Sequence, residues 1–238
     1  MEYFIGTSGW VYPHWRGVFY PPELPQSKWL DFYTSKFRTV EINNSFYRLP
    51  SEEAFKGWRK NAPDGFVFAV KANRFITHIK RLKNADEPLE RFLSRATLLG
   101  EKLGPVLYQL PPNMKRNDET LESFLKLLPP GIQHVFEFRH PSWFDERVFE
   151  LLRRYNAGFC IFDMPGFTTP LVATADFAYI RFHGSAILYG GCYTDEELSS
   201  WAERIKGLEV KRVYIYFNND MEGYAVMNAK TLSRFLSA

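Results

Sequence analysis

The chain has 238 residues, of which 45% are hydrophobic and 24% charged, and its formal net charge is +3. That length suits one large α/β domain with a sizeable core, the composition excludes disorder, and no apolar run approaches the ~20 residues of a membrane-spanning helix. So small a net charge does not by itself mark a nucleic-acid binder, because an electrostatic footprint depends on clustering.

Apolar strand-like runs alternate with helical patterns from one end to the other, without a linker. The first run, 3–8 (YFIGTS), follows Met1 and Glu2 with no basic and apolar stretch of a signal peptide. A proline- and aromatic-rich segment, 9–26, separates it from the second run, 39–43 (TVEIN). The third, 66–71 (FVFAVK), leads into a basic cluster of Lys71, Arg74, Lys80, Arg81 and Lys83 with His78 among them, a pattern most simply read as a solvated face. Leu89, Phe92, Leu93, Ala96, Leu99 and Leu103 then form one helical stripe, which Gly104 is expected to end.

The fourth run is 105–110 (PVLYQL), after which Asp118 is the expected N-cap of a helix over DETLESFLKLL. The fifth and sixth runs are 134–139 (HVFEFR) and 158–163 (GFCIFD). Between Asp163 and Phe177 two prolines and a glycine leave too little room for a crossover helix, so a loop is expected there. The seventh run, 177–183 (FAYIRFH), is followed by the glycine-rich 184–193, then by a helix opening with a Thr194/Glu197 capping box, then by the eighth run, 212–219. Eight strands with intervening helices in one domain over 1–238 predict an α/β fold, a TIM-type (β/α)8 barrel irregular after strand six. The loops 9–26 and 184–193 follow strand C-termini and are candidate lids.

Strand alternation fixes which side chains enter such a barrel, because helix-facing positions must be apolar. Val40 and Ile42, Phe68 and Val70, Phe136 and Phe138, Ile180 and Phe182 take the outer face. Glu41, Asn43, Lys71, Glu137, Arg139, Arg181, His183, Tyr216 and Asn218 then point inward, with Ser8 and Gln109 in the same phase. These polar groups converge at the carboxyl ends of the strands, where barrel enzymes carry their chemistry. A buried ion-pair lattice is the structural alternative.

The runs GTSGW (6–10), VEINNSFYRLP (40–50), FAVKANRFITH (68–78), LYQLPP (107–112), EFRHPSW (137–143), YIRFHG (179–184) and YFNND (216–220) together resemble the domain of unknown function 72, or YecE-like, family. The resemblance spans nearly the whole chain in order. It implies a barrel of the xylose isomerase and endonuclease IV kind and supplies no reaction. The glutamate-leucine-arginine usual in the family's fifth strand is Glu137, Phe138, Arg139 here, a change confined to the outward residue.

Glu137, His183 and Glu41 are the expected catalytic groups, with Glu137 an ionised base among cations and His183 a donor titrating near neutrality. Arg139, Arg181 and Lys71 are expected to bind an anion, with Asn43, Tyr47, Gln109 and Asn218 lining the site and Trp10 and Trp143 offering flat faces at the rim. No metal is expected; a divalent ion, if held, would fall to Glu41, Glu137, Asp163 and His183. No glycine-rich nucleotide signature is present, so no cofactor is expected. The partners foreseen are a small anionic ligand or a single-stranded nucleic acid, with no membrane. The reading is a hydrolase or lyase of an anionic, phosphorylated or phosphodiester, ligand; a glycosidase-like hydrolase and a non-catalytic nucleic-acid module are the alternatives. Cys160 and Cys192 have no metal-type spacing, which with the absent signal sequence predicts a cytoplasmic protein. An oligomeric state is not specified.

Overall fold

A computed structural model describes residues 1–237. The strands are β1 (Glu2–Thr7), β2 (Thr39–Ile42), β3 (Val67–Lys71), β4 (Leu103–Gln109), β5 (His134–Glu137), β6 (Gly158–Met164), β7 (Phe167–Thr168), β8 (Phe177–Phe182) and β9 (Arg212–Phe217). The helices are α1 (Trp29–Thr34), α2 (Asn44–Tyr47), α3 (Glu52–Asn61), α4 (Asp86–Ala96), α5 (Asp118–Leu125), α6 (Glu146–Arg154), α7 (Asp195–Lys206) and α8 (Tyr224–Ser237). All strands but β7 pair in parallel in the order β1-β9-β8-β6-β5-β4-β3-β2, the expected α/β barrel. Among the described residues no helix is long and apolar enough to cross a membrane.

Closure between β1 and β2 is sparse. One backbone bridge joins Ser8 to Glu41, and the Gly9 N–H donates to the Glu41 carbonyl at 2.8 Å. Below it the Tyr33 hydroxyl of α1 replaces the ladder: it accepts from the Thr7 N–H at 2.9 Å and donates to the Thr39 carbonyl at 3.1 Å. Buried backbone groups need such partners, so a single phenol completes the cylinder.

Period-two alternation holds on both faces. Val40, Ile42, Phe68, Val70, Phe136, Phe138, Ile180, Phe182, Ile215 and Phe217 belong to the layer between strands and helices. Phe4, Ala69, Leu107, Val135, Cys160, Phe177, Tyr179, Tyr214 and Tyr216 fill the barrel interior. That interior is apolar and aromatic at its floor, and the charged residues stand above it near the strand ends.

Three local expectations change. Asn117, not Asp118, caps α5, accepting from the Thr120 N–H at 2.8 Å; Asp118 occupies the first helical position and is gripped by Arg116 at 2.6 Å. The stripe from Leu89 ends as α4 at Ala96, and Gly100, at φ +58°, makes the turn. Leu103 and Gly104 already lie in β4, where an added Cβ at Gly104 would come within 2.4 Å of Val67 Cγ1. After β6 there is no crossover helix, as foreseen, yet the segment is not merely a loop: β7 folds back antiparallel, pairing Asp163 with Thr168 and Met164 with Phe167. The Thr169 and Thr174 hydroxyls then accept from the Phe162 and Phe159 N–H groups of β6 at 2.9 and 2.7 Å. The Thr194/Glu197 capping box forms at the start of α7 as expected.

Candidate functional site at the barrel mouth

Glu41, Glu137, Lys71, Arg181 and His183 come together, each delivered by a strand end. Lys71 and Glu137 are the last residues of β3 and β5, Glu41 and Arg181 are next to last in β2 and β8, and His183 and Arg139 follow β8 and β5 by one and two residues. Arg181, with no exposed surface, bridges the two carboxylates, donating to Glu137 Oε2 at 2.7 Å and Glu41 Oε1 at 2.8 Å. Glu41 also accepts from the Ser8 hydroxyl and, at 2.5 Å, from the Tyr179 phenol. Asn43 donates in turn to Ser8. Arg139 grips the other Glu137 oxygen through Nε, reaches His183 Nε2 at 2.8 Å, and lies 4.6 Å over the Phe162 ring.

The lattice reading is therefore correct for Glu41 and Arg181, whose polar atoms mostly satisfy one another. Lys71 differs. Its ammonium takes part in no hydrogen bond or ion pair among the described residues; it sits 4.4 Å over the Phe46 ring, 8% exposed. Burial first, then the Arg181 charge, pushes its pKa down to about 8. Burial alone would raise Glu137, but Arg139 and Arg181 outweigh it and hold the carboxyl well below its usual range. Glu137 is ionised, as expected.

His183 is not the expected proton donor. Burial, Arg181 and Arg139 push its pKa well below the usual imidazole value, so the ring is neutral. A guanidinium only donates, so Nε2 accepts from Arg139 and the ring proton sits on Nδ1. The Asn218 side-chain Nδ2 lies 3.1 Å from Nδ1. With His183 neutral, the cluster holds two carboxylates against Arg139, Arg181 and Lys71, a net +1.

Other expected members are placed differently. Gln109 is in register with Glu137, on the same face and half-buried. Tyr47 is 74% exposed, outside the cluster. Trp10 packs edge-on to Trp58, and Trp143 stacks on the outward Phe138 and donates to the Met114 carbonyl at 2.8 Å, so both are core rather than rim. Asp163 is out of phase: Cys160 and Phe162 take the inner face of β6, and the Asp163 carboxylate accepts from Thr168 and, at 2.9 Å, from Tyr193 on the helix side. The metal set Glu41, Glu137, Asp163, His183 thus does not assemble, and no group of three or more His, Cys, Asp or Glu suited to a metal occurs among the described residues. A glycosidase pair must face a sugar, whereas Glu41 and Glu137 are both fully buried on Arg181.

Sequence reasoning missed Tyr179 and placed His78 only in the basic cluster. Nothing in alternation distinguishes a phenol that donates to Glu41 from interior packing. Phe46 and His78 lie beyond strand ends, and His78 meets the Phe46 ring edge-on at 4.9 Å. Burial, then the Lys71 charge, lowers the His78 pKa to about 4. The two candidate lids also diverge. Segment 9–26 is pinned, with the Trp15 indole donating to the Asp220 carbonyl at 2.8 Å and Tyr20 stacked on Trp29. Segment 184–193 lies over His183, the Tyr189 ring edge-on to it at 5.7 Å, while Ile187 and Leu188 face solvent.

The family described as "Protein of unknown function DUF72" matches residues 4–238. The UPF0759 protein YunF of Bacillus subtilis is 27% identical over 268 residues, covering 98% of this chain and 94% of that one. YecE of Escherichia coli K12 is 31% identical over 142 residues, covering 59% of this chain and 50% of its own. A crystal structure of a DUF72 family protein from Thermotoga maritima superposes with a TM-score of 0.91 at 33% identity, covering 100% of both chains. One from Enterococcus faecalis, 20% identical, shares the fold at a TM-score of 0.85 over 99% of this chain and 96% of its own.

Proposed function

The chain belongs to the DUF72 family, whose description carries no reaction, and from the geometry of the mouth we propose that it is an enzyme acting on a small anionic ligand. One observation carries this reading. The charged groups of the cluster that reach solvent are both cations, Lys71 at 8% and the Arg139 side chain at 10%, while the carboxylates beneath have no exposed surface. A buried cluster with a net positive charge attracts an anion, and the Arg139 guanidinium, although its nitrogens already donate to Glu137, His183 and Met164, has one further N–H on each terminal nitrogen to offer a carboxylate or phosphate. Lys71, titrating near 8, exchanges a proton close to neutral pH, a role suited to general acid–base work. Glu137 keeps Arg139 in place. Both cysteines are free, which supports a reducing, cytoplasmic setting.

Calorimetry with glycerol 3-phosphate and lactate, two anions without an aldehyde or ketone, tests the site. The parent chain should bind at least one of them, Arg139→Ala should lose about 2 kcal/mol or more of that binding, and Arg139→Lys should recover only part. Equal binding by Arg139→Ala would overturn the reading.

A second reading rests on a separate observation, a surface strip beside the mouth. A groove of about 660 Å³ lined by Asn44, Arg48, Arg91 and Arg95 shares Arg91 with another of about 420 Å³ that Phe75 and Lys80 line. Tyr47 and Phe75 are exposed beside these cations, the pairing of flat faces and positive charge that holds single-stranded nucleic acid. Glu52, Asp86 and Glu87 interrupt the strip, so it is the weaker reading. Anisotropy of a labelled oligothymidylate should show binding that falls steeply with added salt and with Arg91→Ala; no binding at low salt removes this reading.

A further inference from the structure

Among the described residues two lysines are buried, Lys71 and Lys102, and they differ in their partners. Lys102 is 5% exposed and its ammonium donates to the carbonyls of Arg59 at 2.8 Å and Ala62 at 2.5 Å, a satisfied structural group. Lys71 is buried almost as deeply and donates to nothing among the described residues. The other interior nucleophiles are engaged or inert: burial and Glu137 raise the Cys160 thiol well above its usual pKa, and the Tyr179 phenol donates to Glu41.

We infer that Lys71 is a covalent nucleophile whose Nζ forms an imine with an aldehyde or ketone that also bears a carboxylate or phosphate held by Arg139. The inference rests on the anion site proposed above and names its substrate class. Several features support it. The Phe46 ring lies 4.4 Å from Nζ and shields one side of the amine. Burial first, then Arg181 and Arg139, favour the neutral amine against the opposing pull of Glu137 and Glu41. With a pKa of about 8, roughly a tenth of Lys71 is neutral amine at pH 7, some hundreds of times the fraction of an ordinary lysine. The groups acting on the amine are Arg181, Glu137, Glu41 and Arg139, and Lys71 in turn acts on the neutral His78 and His183.

The step balances without an oxidant or reductant. The neutral amine attacks the carbonyl carbon, forming a C–N bond while the C=O π pair moves to oxygen. Both nitrogen protons pass to that oxygen, which departs as water with the C–O pair. The nitrogen lone pair closes the C=N bond, and one proton from solvent gives the iminium. That cation takes the place of the ammonium over Phe46, so the charge balance with Glu41 and Glu137 is unchanged.

Borohydride trapping tests it: the protein is incubated with pyruvate or dihydroxyacetone phosphate, reduced, and mapped by peptide mass spectrometry. Reduction of an imine leaves a secondary amine at the reacting lysine. The expected result is labelling of Lys71 about tenfold or more above any other lysine, protected by glycerol 3-phosphate and absent in Lys71→Met, which keeps the apolar stem. Labelling confined to exposed lysines, with glycerol 3-phosphate still bound, overturns the imine and leaves the anion site standing. If Lys71 is unlabelled and neither glycerol 3-phosphate nor lactate binds, both proposals fall.

Discussion

Lys71 and Glu41 make opposite predictions although both are buried ions of one cluster. The folded chain binds the Lys71 proton less tightly than the unfolded chain, with a pKa of about 8 against 10.5. Between those values the unfolded state carries more protons, so stability due to this residue rises with pH; below pH 8 the full cost, about 3 kcal/mol, is present. Urea midpoints should therefore show Lys71→Met more stable than the parent at pH 7 in chloride buffer, the gap closing by pH 10.5. Taking the difference between the two chains cancels the buried tyrosines, which act in the opposite sense above pH 10. A less stable Lys71→Met at pH 7 would make the ammonium a structural partner. Glu41→Gln, by contrast, leaves Arg181 buried with one carboxylate and should lose about 3 kcal/mol or more, read from the same midpoints. A loss under about 1 kcal/mol would mean that Glu41 is dispensable to the lattice. The inward positions of both residues were legible from alternation alone. That Arg181 would occupy both carboxylates and leave Lys71 alone was not, because it depends on side-chain reach across the barrel.

Strand phase also explains a wrong assignment. In GFCIFD, Cys160 and Phe162 share the inner face, which puts Asp163 outside with Tyr193. Its polarity suggested a metal ligand, and applying the two-residue period to strand six would have excluded it. Trp10 and Trp143 were misplaced because side chains beyond a strand end no longer follow its period. The β1/β2 seam gives a prediction at this scale. Tyr33→Phe removes the acceptor of the Thr7 N–H and the donor to the Thr39 carbonyl, both buried, so stability should fall by about 2 kcal/mol or more by chemical denaturation. A change under about 0.5 kcal/mol would show that the seam closes without it. The segment over His183 gives another. Gly184 has φ +114°, and an added Cβ would lie 2.2 Å from the Ile187 carbonyl oxygen. Gly184→Ala should raise hydrogen exchange in 185–191 by about tenfold or more while exchange in β8 stays slow; unchanged exchange there would contradict the tight packing of this turn.

At the scale of the whole molecule, the barrel was readable from eight apolar runs and the helices between them, and its irregular quarter from the prolines after β6. What the sequence does not display is the charge balance of the enclosed mouth, since that depends on which groups are shielded from solvent together. The balance is the central claim: a net positive charge whose unpaired member is Lys71, awaiting an anion. A bound anion should raise the Lys71 pKa, so binding near pH 8.5 must take up protons. Calorimetry of glycerol 3-phosphate at that pH, repeated in two buffers of different ionisation enthalpy, measures this uptake. The account predicts uptake of a substantial fraction of a proton per ligand in the parent chain, with none and weaker binding in Lys71→Met. Equal affinity in the two chains with no proton uptake would contradict it.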